Sequence, residues 1–182
     1  RSLGGQSDWR VPTLPELLAR DARHFEQRTL DLRAGFSMAL WLEFETLSPG
    51  EVVLSNRTPD GRGLALQTAE GGALALVLGD RRSESRWLSD PGTIRAGVLQ
   101  HVAVTVDGGP KIVTFVIDEE LCDGGTHRQF GWGRYNPNLR SVAGAPTLKL
   151  GPSMDGELHS LRIYGRPLRT SEAVGNYRAG RV

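Results

Sequence analysis

Residues 99–121 read LQHVAVTVDGGPKIVTFVIDEEL, and their reading decides the fold. His101-Val102-Ala103-Val104-Thr105-Val106 and Ile112-Val113-Thr114-Phe115-Val116-Ile117 are two β-branched runs. Between them, Asp107-Gly108-Gly109-Pro110 supplies residues that turn easily. Such a pair predicts an antiparallel hairpin. Both faces of each run are largely apolar, so the hairpin is expected in the middle of a two-sheet stack, not on a wet surface.

Around this hairpin, composition sets bounds. The 182 residues fit one domain, alone or with an appendage. Hydrophobic content of 38% supports a sizeable core, and no stretch is apolar enough to span a membrane. A net charge of +1 gives no field that would draw nucleic acid. All but Lys111 and Lys149 of the 22 basic residues are arginines, scattered without a run. That bias is either genomic or suited to planar recognition of carboxylates. Cys122 is alone, which excludes an internal disulfide and a cysteine metal cluster. The chain starts at Arg1 with no visible signal peptide, and is read as a piece of a longer or processed protein.

Arg1 to Arg10 are polar and Gly-containing, and read as a linker or a lead-in that orders on docking. Thr13-Leu14-Pro15-Glu16 has the form of a capping box opening a short helix to about Gln27, with Leu14, Leu17, Leu18 and Phe25 on one face. Residues 1–29 are therefore taken as a lead-in and 30–182 as the sandwich domain. In Phe36–Glu45, period two puts Phe36, Met38, Leu40, Leu42 and Phe44 on a core face, and Trp41 half-buried on the other. Further strands are expected at Glu51–Ser55, Leu64–Gln67, Ala73–Leu78, Thr147–Leu150 and Glu157–Tyr164. Polar loops are expected at Gly79–Pro91 and Asp123–Pro146, and a helix from Thr170 to about Arg178. Many short strands with turn signals between them make an all-β sandwich.

Several motifs, in order, resemble a known group: Phe36-Ser-Met-Ala-Leu-Trp41, Gly63-Leu-Ala-Leu66, Gln100-His-Val-Ala-Val-Thr105, Val113-Thr-Phe-Val-Ile-Asp118, Leu148-Lys-Leu-Gly151 and Asp155–Tyr164, followed by Arg166-Pro-Leu-Arg-Thr-Ser-Glu172. They are similar to the laminin G-like or concanavalin A-like lectin/glucanase superfamily in its bacterial jelly-roll form, over about Leu30 to Arg178. The resemblance implies a jelly roll of two antiparallel sheets, one concave and one convex. It also implies a non-catalytic, extracellular module of secreted proteins, often attached to polysaccharide-acting enzymes. The fold hosts many functions, so function rests on the site.

The loop Phe130–Arg140 carries the first candidate. Trp132 and Tyr135 offer flat faces for sugar C–H surfaces, and Arg134, Asn136, Asn138 and Arg140 offer polar partners for hydroxyls. The competing reading is that Trp132 and Phe130 anchor the loop over a sheet edge. Trp87 with Arg81, Arg82 and Arg86 is the second candidate, fit for a uronate or sulfate, or else a core plug with a charged rim. Asn56, Arg57, Asp60 and Arg62 form a weaker third.

Two other chemistries compete with glycan binding. Related jelly rolls hold structural Ca²⁺ near an Asp-Gly-x-Ile-Asp-Glu motif. Here Asp155-Gly-Glu-Leu-His-Ser160 replaces its last two carboxylates by His159 and Ser160, which argues against the site, and no cofactor is expected. Glu43 and Glu45 share a strand face as in the superfamily's glucanases, without the third acidic residue of that pattern. His24, His101, His127 and His159 have no metal-ligand spacing. The expected role is a non-catalytic carbohydrate-binding module whose partners are a glycan, with acidic ones favoured by the arginines, and a neighbouring domain of the parent. The alternatives are a structural or adhesion module docking on a protein, and a glycoside hydrolase. Neither nucleic acid nor membrane is an expected partner.

Overall fold

The computed structural model describes residues 7–10, 35–126, 129 and 131–180. Two antiparallel sheets face one another. Sheet 1 has the order β1 (Ser7–Arg10), β11 (Thr147–Leu150), β3 (Val52–Ser55), β4 (Gly63–Ala69), β5 (Ala73–Gly79), β6 (Glu84–Leu88). Sheet 2 has the order β10 (Gly133–Arg134), β8 (Ile112–Ile117), β7 (Gln100–Asp107), β2 (Phe36–Phe44), β12 (Gly156–Tyr164), with the two-residue β9 (Glu120–Leu121) also on β8. The helix α1 (Thr170–Gly180) lies on the outward side of sheet 2.

Alternation dictates this stack. Phe36, Met38, Leu40, Leu42 and Phe44 of β2 are all 0% exposed between the sheets. Val102, Val104 and Val106 of β7 and Val113, Phe115 and Ile117 of β8 join them from one side. Leu64, Leu66, Leu74, Leu76 and Leu78 of β4 and β5 meet them from the other. Each such side chain contributes about 1.5–3 kcal/mol on burial. The hairpin turns as its sequence predicts: Asp107 Oδ1 accepts the Gly109 N–H at 3.0 Å, and Asp107 pairs with Ile112. The sandwich read from the sequence is the fold.

The outward face of β2 is also sequestered. The buried Ser37 hydroxyl accepts the Leu168 N–H at 2.8 Å and donates to the Arg166 carbonyl at 3.0 Å, holding the segment before α1 on the sheet. Ala173 of α1 packs on Ala103 and Val116. The Tyr177 ring stacks on Trp41 at 5.6 Å, with His101 tilted against both.

Two expectations change. Ser7–Arg10, read as a linker or a lead-in ordered on docking, is a strand pairing with β11 from Ser7↔Leu150 to Arg10↔Thr147. Glu84–Leu88, read as loop, is the other edge strand of sheet 1. Both are short edges, held by backbone pairing on one side only, and neither needs an apolar pattern to form. The helix expected at Thr13–Gln27 lies outside the described residues.

Candidate functional site

The open side of the sandwich, between β6 of sheet 1 and β10 of sheet 2, is where the sequence candidates gather. Trp87 pairs with Leu76, so it faces inward as Leu76 does, and it packs against the core. Gly133 pairs with Val113, which also faces the core, and lies directly on the Trp87 ring: a Cβ there would overlap the indole. With Gly133 turned inward, its neighbours turn outward. Trp132 is 43% exposed, and Arg134 is exposed beside it.

The rest of the segment is fastened down. Tyr135 is 4% exposed within the core, and its N–H donates to the Lys111 carbonyl at 3.1 Å. The Asn136 N–H donates to Ser85 Oγ at 2.7 Å, and Asn136 Oδ1 accepts the Asn138 N–H at 2.9 Å. Lys111 Nζ donates to the Pro137 carbonyl at 2.8 Å. The Arg140 N–H reaches Asp80 Oδ2 at 2.9 Å. Asp80 accepts three backbone N–H groups in all, from Arg82, Ser83 and Arg140, and its pKa lies below the ordinary carboxylate value; burial opposes the shift and those N–H groups outweigh it.

The candidates therefore separate. Trp132, Arg134 and, on the adjoining turn, Asn138 are exposed. Arg86 is exposed, but it pairs with Val77 and so points from the outward face of sheet 1. The Asn136 carboxamide oxygen is engaged in its own turn. Tyr135 and Trp87 are corrected from platforms to packing, because the inward register of β6 and the burial of residue 135 turn their rings to the core. Phe130 lies outside the described residues. The third loop is tied internally: Asn56 is buried with Oδ1 on the Leu64 N–H at 2.8 Å, Arg57 pairs with Glu84 at 2.5 Å, and Arg81 pairs with Asp60.

Next to the aromatic edge lies a feature the sequence reading missed. A cleft of about 830 Å³ opens between residues 90–95, the start of β7, the β8–β9 turn and Tyr177. Asp90, Asp118, Glu119, Glu120 and Asp123 line it against one cation, Arg95. Several of these carboxylates organise the walls. Asp118 accepts the His101 N–H at 2.9 Å and Gln100 Nε2 at 3.2 Å, Asp90 accepts the Gly124 N–H at 3.0 Å, and Glu119 meets Arg178 Nη2 at 3.0 Å. Gly131 packs against Asp123, so the chain leaves the cleft wall and reaches Trp132 one residue later. The run Asp118-Glu119-Glu120 was visible in the sequence, but its partners at 90–95 are distant along the chain.

At Asp155, where the resemblance places calcium, Oδ2 accepts the Thr46 hydroxyl at 2.5 Å and the carbonyl accepts the Glu45 N–H at 2.9 Å. His159 occupies the bulge between Leu158 and Ser160. Among the described residues no three His, Cys, Asp or Glu side chains stand together as a ligand set. Glu43 lies opposite Glu157 on β12, Glu45 is exposed beyond the strand, and neither lines the cleft.

This arrangement, a two-sheet sandwich with an aromatic loop across its open side, defines the class. A model of the concanavalin A-like lectin/glucanases superfamily matches residues 20–174, and the chain belongs to that family. No curated protein matches it by sequence. Among solved structures it is similar to the CBM40 of Ruminococcus gnavus IT-sialidase bound to α2,3-sialyllactose, with a TM-score of 0.67 at 12% identity, covering 97% of this chain and 95% of that one. It is also similar to part of the leech intramolecular trans-sialidase complexed with 2,7-anhydro-Neu5Ac (TM-score 0.62, 13% identity, 79% of this chain and 23% of that one). A third is the binding domain of botulinum neurotoxin DC in complex with rat synaptotagmin II (TM-score 0.59, 12% identity, 81% and 36%). At these identities the likeness is one of fold. Among the described residues no helix is long and apolar enough to cross a membrane.

Proposed function

We propose that this chain is a non-catalytic glycan-binding module and that Trp132 and Arg134 form its contact edge. The observation that carries the reading is their placement: a 43% exposed indole and an exposed guanidinium two residues apart, on a strand end fastened to the core through Gly133. An indole face covers the C–H surface of a pyranose ring, while a guanidinium meets a carboxylate with two parallel N–H bonds. Asn138 adds a polar group at the rim. The CBM40 likeness supports the reading because it runs nearly end to end in both chains. The parent is then a secreted, polysaccharide-acting protein, and this module holds it on its substrate.

Charge sharpens the ligand class. Arg134 favours an acidic sugar at the edge, while the carboxylates of the neighbouring cleft repel one. The acidic residue therefore sits over Trp132, and any neutral remainder of the chain points towards the cleft.

Calorimetric titration with α2,3-sialyllactose and lactose tests this. Trp132→Ala is expected to weaken binding at least tenfold, about 1.4 kcal/mol, and Arg134→Gln to weaken only the acidic ligand. Full binding by Trp132→Ala overturns the assignment. A protein-docking role is the second reading, favoured by the exposed Val98 and Leu99 just before β7.

A further inference from the structure

We infer that Trp87 is a positioning residue for the glycan edge, acting through Gly133 without touching the ligand. This rests on the reading of Trp132 and Arg134 as the contact edge.

Gly133 carries the argument. It lies in a strand and is not among the residues with left-handed backbone, so its conformation suits any L residue. What demands glycine is space. A Cβ at this position would overlap three atoms of the Trp87 indole, which is a large rigid ring held by the core and unable to yield as the end of a flexible chain would. The backbone of β10 thus rests on the flat face of Trp87, and the height of Gly133 above that ring fixes where its two neighbours emerge. Trp132 and Arg134 leave in the same direction because Gly133 points the other way.

The contact is also the place where the two sheets meet at their edges. Trp87 belongs to β6, the last strand of sheet 1, and Gly133 to β10, the last of sheet 2. β10 has only two paired residues, Gly133↔Val113 and Arg134↔Ile112, too few to hold an orientation alone. A second link, from the Asn136 N–H to Ser85 Oγ, joins the same two strands' neighbourhoods at 2.7 Å. Trp87 is therefore the floor under the edge, and Ser85 is the clip at its end. A binding group displaced by about 1 Å because its support is missing loses most of its function.

Gly133→Ala, Trp87→Ala, Trp87→Phe and Trp132→Ala separate the possibilities, read by hydrogen exchange of the 131–136 peptide and by titration with α2,3-sialyllactose and lactose. Gly133→Ala and Trp87→Ala are expected to speed exchange at 131–136 while β2 and β7 keep wild-type protection. Each is expected to weaken the bound probe at least tenfold, and Trp87→Phe, which keeps a flat ring, to recover most of the loss. Should Trp87→Ala not fold, Gly133→Ala and Trp87→Phe carry the test, since neither removes the ring. Wild-type exchange at 131–136 in Gly133→Ala overturns the inference, and so does unchanged affinity there when Trp132→Ala abolishes binding. If wild type binds neither probe, or Trp132→Ala binds as wild type does, the glycan reading fails, and exchange alone then decides for or against the positioning role.

Discussion

Trp41 and Trp132 both stand outside the core on the same side of sheet 2, and they meet different fates. Trp41 lies under α1: Tyr177 stacks on it, and Gly180 comes so close that a Cβ would stand 2.6 Å from its Nε1. Trp132, at the β10 edge, is left 43% exposed. One outer face is thus covered by α1 at one end and partly exposed at the other. The lesson is that an aromatic residue outside a sandwich core marks a binding surface only where no other element of the chain covers it.

The largest effect that sharpens this contrast is on stability. Phe115→Ala, inside the stack, is expected to cost about 3–5 kcal/mol, whereas Trp132→Ala should stay within about 0.5 kcal/mol as an exposed site. Urea denaturation of both variants measures the gap. A large loss in Trp132→Ala would make it an anchor and break the comparison.

Acid probes the sealed end. His101 is 2% exposed and lies against Trp41 and Tyr177, and its Nδ1 has no hydrogen-bond partner among the described residues. Burial lowers its pKa from the ordinary 6.5, Asp118 raises it, and Arg162 lowers it, with burial dominant. The unfolded chain then binds the proton more readily than the folded one. The neutral ring's contribution is complete above about pH 6.5 and declines as pH falls towards the depressed folded value. Melting at pH 7.5 and pH 5 should show a loss in wild type that His101→Gln reduces. Equal pH dependence in both proteins would mean the α1 seal does not feel this residue.

The smallest expected change is at the entrance to α1. The Glu172 carboxylate receives Arg166 through two bonds, at 2.6 and 2.9 Å, and the Arg169 N–H at 2.9 Å. The Arg166 bonds, ahead of the Arg169 N–H, hold its pKa down to about 2. What it contributes is complete above the ordinary 4.5 and disappears as pH falls towards 2. The pair is exposed and screened by salt, so Glu172→Gln should lower the melting temperature only slightly, and less still at high salt.

Much of the fold was legible because alternation is written into the chain. The period of two in Phe36–Phe44 and in the two runs of the hairpin reports which side chains turn inward, whatever the rest of the protein does. β1 and β6 were not legible, since an edge strand is specified by a neighbour's unpaired backbone, and Ser7–Arg10 carries no pattern to announce it. The site divided in the same way. Trp132 and Arg134 were chosen by residue type, and both are exposed. Tyr135 and Trp87 were equally suitable by type, yet the core holds both. The acidic cleft escaped notice because its walls come from residues 90–95 and 118–123, which only folding brings together.

The sequence by itself determined the sandwich, its central hairpin and the inward faces of its strands, because these follow from local periodicity and the apolar surface that must leave water. Only the tertiary structure decided which aromatics are exposed. Exposure depends on what stands opposite in space, and here that was settled by α1 over Trp41 and by a glycine resting on Trp87.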